Sequence, residues 1–248
     1  MSLLRLKMPL TTYEQALRRF GLGSLANGID LQLTKSGDIA VTRDGDFQLG
    51  NTQQNALFRM VERWRQSESA INELFGPMVC AVKQFDQLTG AREKNSGPSL
   101  LQNPRAYHEI TDAILEAQLI SSTLAGSISV VINNLLQRLK CDLNSSNEDW
   151  HAATPTIATF SVGEIFSAAA ANFRHYDEWA TSKKTLSSQQ EGSMLVICSV
   201  LDMNLKDAHG FANIRTNICQ HIVMKVADGK VENLHATIFE FAKSLAKS

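Results

Sequence analysis

The sequence predicts a mainly α-helical protein, in which a helical bundle follows a small N-terminal antiparallel β-meander. Three observations support this fold class. The alternation of apolar and polar side chains that is typical of half-buried strands is confined to one N-terminal stretch. Most of the remaining chain has the 3.6-residue periodicity of amphipathic helices. Two Ser-x-x-Glu capping-box sequences also precede helical runs in its last third.

The N-terminal region is predicted to contain a short helix at Thr11–Phe20 and then the meander. Across Gly28–Gly50, three short runs of alternating residues are separated by Ser36-Gly37 and Asp44-Gly45. An Asp-Gly pair readily adopts the positive φ angles of a tight hairpin turn. We therefore predict three half-buried strands in this segment.

Helical periodicity begins at Thr52, and Gly76-Pro77 is predicted to end this helix because proline disfavours a helix interior. A further short helical piece is predicted at Cys80–Leu88. Gly90–Gln102 is rich in loop-forming residues, and a loop of this length is typical of a functional or interface segment.

The next helix is predicted to begin at Asn103 and Pro104, with the asparagine as N-cap and the proline at the first helical position. Apolar residues recur as far as Leu139, which allows one helix of about 50 Å or two helices broken near Ser121–Ser127. Asn144–Pro155 is predicted to be a polar linker.

The last third is predicted to be wholly helical, with capping boxes at Ser161/Glu164 and Ser188/Glu191. Two further helices are predicted, one around Ile214–Val226 that stops at Asp228-Gly229 and one at Val231–Leu245. Short connections between consecutive helices favour a bundle. We predict an N-terminal unit over residues 1–90 and a bundle over 103–248, with one compact unit as the alternative.

Composition narrows the classes of function. The 24 Lys and Arg nearly balance the 25 Asp and Glu, so the net charge gives no general attraction to nucleic acid or anionic membrane, although a local basic patch remains compatible. Met1–Leu10 lacks the apolar core of a secretory signal, and no uninterrupted apolar stretch approaches the roughly 18–20 residues of a membrane span. We therefore expect a cytoplasmic protein with no membrane association.

Four cysteines are expected to be buried free thiols: Cys80, Cys141, Cys198 and Cys219.

Several common enzyme signatures are absent from the sequence. It contains no Gly-rich phosphate loop, no G-x-S-x-G elbow, no H-E-x-x-H and no zinc-finger spacing. We therefore predict no cofactor and no metal site.

The densest cluster of reactive side chains is Phe173–Trp179. In a helix, His175 and Glu178 are i,i+3 neighbours, and Arg174 and Glu178 are i,i+4 neighbours. An imidazole beside a carboxylate can relay protons or provide half of a metal site, but a metal needs further ligands that this segment lacks. The cluster therefore indicates either an acid–base or binding role or a plain surface ion pair.

A second cluster is Arg215–His221, in which the arginine and the histidine are six residues apart. This spacing resembles the R-x(4–6)-H motif of the HEPN superfamily, whose members are helical bundles. Many of them are metal-independent ribonucleases of toxin–antitoxin and anti-phage systems. The resemblance covers at most Ser161–Ser248. It implies that His221 is the acid and base at the ribose 2′-hydroxyl, and that Arg215 stabilises phosphate charge.

Two features of this cluster depart from the family pattern. Thr216 precedes Asn217, whereas family members often place Asn directly after the arginine. On one continuous helix, residues six apart point about 120° away from each other. Arg215 and His221 can therefore share a site only if Arg215 lies at the helix start, or if the site forms across a dimer. The structural alternative is a helix that buries Ile214, Ile218 and Ile222.

A third cluster interleaves Arg59, Arg63 and Arg65 with Trp64. Arginines beside an aromatic ring can hold phosphates and stack bases. Because neighbouring glutamates dilute the positive charge, we favour a solvated helix face with a buried Trp64.

Two functional hypotheses follow. The first is a bacterial HEPN-like protein that acts on RNA in a defence or toxin–antitoxin setting, as a metal-independent ribonuclease and homodimer. Its chemistry would rest on His221 and Arg215, with help from Arg174, His175 and Glu178 if their helix lines the same groove.

The second hypothesis is a non-enzymatic assembly or adaptor protein with a protein partner. It would use the meander, the long helix and Gly90–Gln102. A phage-related structural protein belongs to this class, because Gly37–Val41, Asp44–Phe47 and Gln54 resemble the opening of contractile phage-tail baseplate proteins, where a hairpin precedes a helix.

Overall fold

Helices dominate the chain, as predicted. In a computed structural model, the residues described are 13–26, 34–38, 40–41, 45, 52–94, 103–181, 187–203 and 216–247. The α-helices within them are α1 (Tyr13–Arg19), α2 (Thr52–Lys94), α3 (Pro104–Leu143), α4 (Asn147–Ala152), α5 (Val162–Thr181), α6 (Ser188–Val200), α7 (Cys219–Ala227) and α8 (Val231–Leu245). A 3-10 helix, Gly23–Ala26, follows α1. The short strands β1 (Thr156–Ile157) and β2 (Phe160–Ser161) lie between α4 and α5.

The β-structure lies elsewhere than predicted. The two described strands form an antiparallel hairpin at 156–161, and Ala158 and Thr159 between them have φ angles of 51° and 73°. Such turns normally carry Gly or Asn, so no turn residue marks this hairpin in the sequence. Most of the predicted meander at Gly28–Gly50 lies outside the described residues. Residues 34–38 form a turn, and Val41 is an isolated bridge residue. The baseplate-like segment and residues 95–102 also lie largely outside the described chain.

The long helix α2 runs through Gly76 and Pro77 without a break, so the prediction that they end it was wrong. Pro77 is exposed, while Phe75 and Met78 beside it are buried in the core. The helix packs along α3 over much of its length. This packing outweighs the roughly 3 kcal/mol that an interior proline costs an isolated helix.

Helix α3 is one helix, which decides between the two predicted alternatives. Asn103 is its N-cap, with the side-chain oxygen accepting the N–H of Ala106 at 3.1 Å, and Pro104 opens the helix. Its buried serines do not break it. Ser121 and Ser129 donate their hydroxyls to backbone carbonyls of the preceding turn, which satisfies them within the helix.

By length and hydropathy, α3 is long and apolar enough to cross a membrane, and half of its most apolar 18-residue window is buried inside the fold. The central helix of a soluble bundle has the same properties.

The predicted linker at Asn144–Pro155 contains helix α4, which was missed. Ser146 and Asp149 form its capping box. Trp150 on α4 is buried against Phe241, with ring centroids 5.1 Å apart. A helix of six residues that depends on tertiary contacts has too little periodicity to be recognised in the sequence.

The C-terminal helices agree closely with the prediction. Ser161 and Glu164 form the predicted capping box, but the second box is Ser187/Gln190 and not Ser188/Glu191, a shift of one residue. Both pairs fit the same pattern, so the sequence does not choose between them. Helix α8 has the predicted bounds Val231–Leu245.

One hydrophobic core includes residues of α1, α2 and the C-terminal helices. Phe20, just after α1, stacks on Phe239 of α8 with ring centroids 3.6 Å apart, and Trp64 of α2 meets Phe239 edge-on.

Cys198 and Cys219 are buried free thiols as predicted, whereas Cys80 and Cys141 are free but exposed. The exposed pair lies on the outer faces of the two long helices, which local apolar context does not reveal.

Candidate active site at the start of α7

His221 lies in the first turn of α7, in a groove of about 310 Å³ between α2, α3 and α7. We call this the His221 groove. Besides His221, its polar lining residues are Asp86 of α2, Ser121 of α3, Gln220, and Lys225 one turn after His221. The remaining lining is apolar and consists of Val82, Phe85, Leu201 and Met224. An imidazole beside apolar walls and a few polar groups is typical of a small ligand site.

The surroundings of His221 favour its neutral form. Although the residue is exposed to solvent, the protein packed around it lowers the pKa of His221 by desolvation, and the negative charge of Asp86 opposes this shift. At neutral pH, the imidazole is therefore neutral and can accept a proton.

Gln220 contributes an unused hydrogen-bond acceptor to the same groove. The residue is only 4% exposed, and its Oε1 has no hydrogen-bond partner within the described part of the chain. A buried acceptor without a donor costs about 1–3 kcal/mol. A ligand that donates a hydrogen bond to Gln220 would remove this cost.

Two buried amides fix the start of α7. Asn217 donates to the carbonyl of Ser122 at 3.0 Å and accepts from the N–H of Cys219 at 3.3 Å. Asn172 of α5 accepts from the N–H of Ile218 at 3.1 Å. Asn217 therefore positions the segment that carries His221.

Burial raises the pKa of Cys219 to about 12, so its thiol is protonated and is no nucleophile.

Helix α7 begins at Cys219, later than the predicted Ile214. Arg215 lies outside the described residues, so the structure does not place it relative to His221. Because α7 starts only at Cys219, the divergence of about 120° that was expected for two residues on one continuous helix does not hold for Arg215 and His221. Ile218 and Ile222 are buried, as the structural alternative predicted.

Arg174, His175 and Glu178 line a different groove of about 400 Å³ between α3, α5 and α6, which we call the Arg174 groove. His175 Nδ1 lies 3.1 Å from Glu178 Oε1, and both side chains are about half exposed. Within the described ranges, no three His, Cys, Asp or Glu side chains gather to hold a metal ion.

The two sets of predicted site residues do not share a groove. Ser121 lines the His221 groove and Asn133 lines the Arg174 groove, and both are on α3. Twelve residues along a helix span about 18 Å, so the grooves are well separated. Arg174, His175 and Glu178 therefore cannot act directly on a small ligand in the His221 groove.

The third cluster is part of the protein interior. Trp64 is fully buried, as favoured, and cannot stack on a base. Arg59 and Arg63 are not solvated, because both donate to the carboxylate of Asp142 on α3. These ion pairs link α2 to α3. Because the two guanidinium groups are occupied by Asp142, these positions offer no phosphate-binding surface.

Sequence reasoning missed Asp86, Gln220 and Lys225 as neighbours of His221. Asp86 is on α2, far from His221 in the sequence, and only the packing of α2 on α7 brings them together. Lys225 could have been found, since positions i and i+4 of a helix share a face.

The sequence matches no family model, and no curated protein and no solved structure is significantly similar to it. Any functional assignment therefore depends on the residues and their geometry.

Proposed function

We propose that the protein is a metal-independent ribonuclease, with His221 as the acid–base group that acts on the ribose 2′-hydroxyl. The observation that carries this proposal is the position of a neutral imidazole, His221, in a groove that also contains a lysine and an unused acceptor. The HEPN-like spacing of Arg215 and His221 adds support from the sequence. A bacterial cytoplasmic defence or toxin–antitoxin setting and a homodimer belong to the same proposal.

The groove residues suit this chemistry. His221 would take the proton of the 2′-hydroxyl, whose oxygen then attacks the adjacent phosphorus. A 2′,3′-cyclic phosphate would form as the bond to the 5′-oxygen of the next nucleotide breaks, and the imidazolium would return the proton to that oxygen. Lys225, on the same face one turn later, would stabilise the phosphate charge that builds up in this step. The apolar walls and Gln220 Oε1 would hold the base, with the oxygen accepting from an amino or imino group.

The test is cleavage of defined RNA oligonucleotides by the purified full chain, with and without EDTA. We expect cleavage that EDTA does not inhibit, and none of an oligonucleotide that carries 2′-deoxyribose throughout. Abolition by EDTA, or equal cleavage of the deoxy oligonucleotide, would contradict the mechanism.

A second candidate function, an assembly protein, is favoured by an exposed apolar patch on α3 and α5. Leu115 and Leu119 are 58% and 65% exposed, and Ile120 and Tyr176 are exposed beside them. Exposed apolar patches often mark protein interfaces. Light scattering measures the molar mass and so tests this candidate. Leu119→Lys should dissociate an oligomer that forms through the patch and lower the mass. An unchanged mass would rule out an oligomer formed there.

A further inference from the structure

The Arg174 groove contains a cationic donor that no group in the described part of the chain uses. Arg174 is exposed and forms no hydrogen bond or ion pair within the described chain. Glu178, the carboxylate in the lining, is bound to His175. The guanidinium is therefore available to an oxyanion, for which it offers a bidentate geometry.

A second donor lies buried in the wall of the same groove. Trp179 is only 1% exposed and lines the groove, and its Nε1–H has no acceptor among the described residues. Buried indole N–H groups usually have a partner. An acceptor atom of a ligand would supply one.

Helix α6 begins at this groove. Ser187, Gln189 and Gln190 line it, and the helix has 13 residues. Ser187 Oγ accepts the N–H of Gln190, and Gln190 Oε1 accepts the N–H of Ser187. The capping box leaves the N–H groups of the first two helical residues without an intrahelical acceptor. Such N–H groups, at the positive end of the helix dipole, are a common site for phosphate.

We propose that the Arg174 groove binds the phosphate group of a small phosphorylated molecule, through Arg174, Trp179 and the start of α6. A phosphate has three terminal oxygens, which suits three different kinds of donor better than the two oxygens of a carboxylate. The volume of about 400 Å³ leaves space for an organic part beside the phosphate. Ser193 and Gln137, which also line the groove, would contact that part.

The test follows the indole N–H signals in ¹H–¹⁵N spectra of the full chain during titration with sodium phosphate, at ionic strength held constant with sodium chloride. The chain has three tryptophans, so Trp64 and Trp150 are internal controls. We expect a saturable shift of the Trp179 indole signal alone, and no comparable shift with sodium acetate.

Arg174→Gln should weaken phosphate binding by about tenfold or more, because it removes the charged bidentate donor. Arg105→Gln, which changes an exposed arginine on the far end of α3, should leave binding unchanged. Circular dichroism checks that both variants are folded. No saturable shift, an equal response to acetate, or unchanged binding in Arg174→Gln would each overturn the proposal. The readout involves no RNA, so it is independent of the ribonuclease proposal.

Discussion

At the scale of single side chains, the surrounding protein keeps three titratable groups uncharged, of which two are buried and one is exposed. His235 and Cys219 are buried among core residues, and burial keeps both uncharged. The surroundings of His221 also favour its neutral form, although this residue is exposed. Desolvation therefore favours the uncharged form of all three side chains, and of these three only His221 lines a described groove.

His235 should make the protein sensitive to mild acid. Burial and the charge of Arg19 lower the pKa of His235 to about 4, while Glu68 and Glu232 oppose this. The unfolded chain takes up the proton below about pH 6.5, and the folded protein only near pH 4. Stability is thus fully present above pH 6.5 and falls by roughly 3 kcal/mol as the pH falls through this range.

His235→Leu should flatten the dependence of Tm on pH between about 6.5 and 4, as measured by thermal unfolding. The exposed His108 provides the control, and His108→Leu should keep the slope of the wild-type protein. An unchanged slope in His235→Leu would show that other groups cause the acid sensitivity.

Asp86 should set the acid side of the pH dependence of cleavage. Its charge raises the pKa of His221, so Asp86→Asn should lower that pKa further. In the proposed mechanism the neutral imidazole is the base, so the point at which activity falls in acid should move to lower pH in Asp86→Asn. The measurement is the pH profile of kcat/KM on a short RNA. A shift in the opposite direction would exclude His221 as the base.

At the scale of secondary structure, α3 is the helix on which both grooves depend. It packs against α2, α5 and α7, and contributes Ser121 to one groove and Asn133 to the other. Its approach to α5 requires a small residue, because a Cβ at Gly126 would lie 2.0 Å from the ring of Phe173. Tight contact at this crossing fixes the distance between α3 and α5.

Gly126→Ala should lower the free energy of unfolding by about 1–3 kcal/mol, because Phe173 or a helix must move. Gly192 of α6 is the matched control, since a Cβ there meets no atom within 4 Å. Gly192→Ala should be neutral or stabilise by up to about 1 kcal/mol through helix propensity. Urea denaturation of both variants checks the pair, and equal effects would contradict the close packing.

At the scale of the whole molecule, the shared core joins the N-terminal helices to the end of the chain. Phe20, Trp64 and Phe239 lie far apart in the sequence, yet they are in mutual contact. We therefore expect the described helices to unfold together. Far-ultraviolet and near-ultraviolet circular dichroism should give one coincident transition in urea.

Phe20→Ala should lower the free energy of unfolding by the roughly 3–5 kcal/mol that loss of a buried aromatic ring costs, so the midpoints of both signals should fall together. Two separate transitions, or a change in only one signal, would indicate independent units.

Local patterns were enough to predict the helical class, the Asn103 cap and the bounds of α8, because each depends on residues within a few turns. They failed for Pro77, where packing on α3 overrides a local helix breaker. They also failed for the groove, because the proximity of Asp86 to His221 is a property of the tertiary fold. His221 itself was predicted from its spacing to Arg215, and its role is still a prediction.

The most direct test of the account is the rate of RNA cleavage by His221→Ala compared with His108→Ala. Both variants remove an exposed histidine, but only His221 lines the groove. With both folded by circular dichroism, we expect cleavage to fall at least about 100-fold in His221→Ala, as for loss of an acid–base group, and to be unchanged in His108→Ala. Equal cleavage by the two variants, or none by the wild-type protein, would contradict the account.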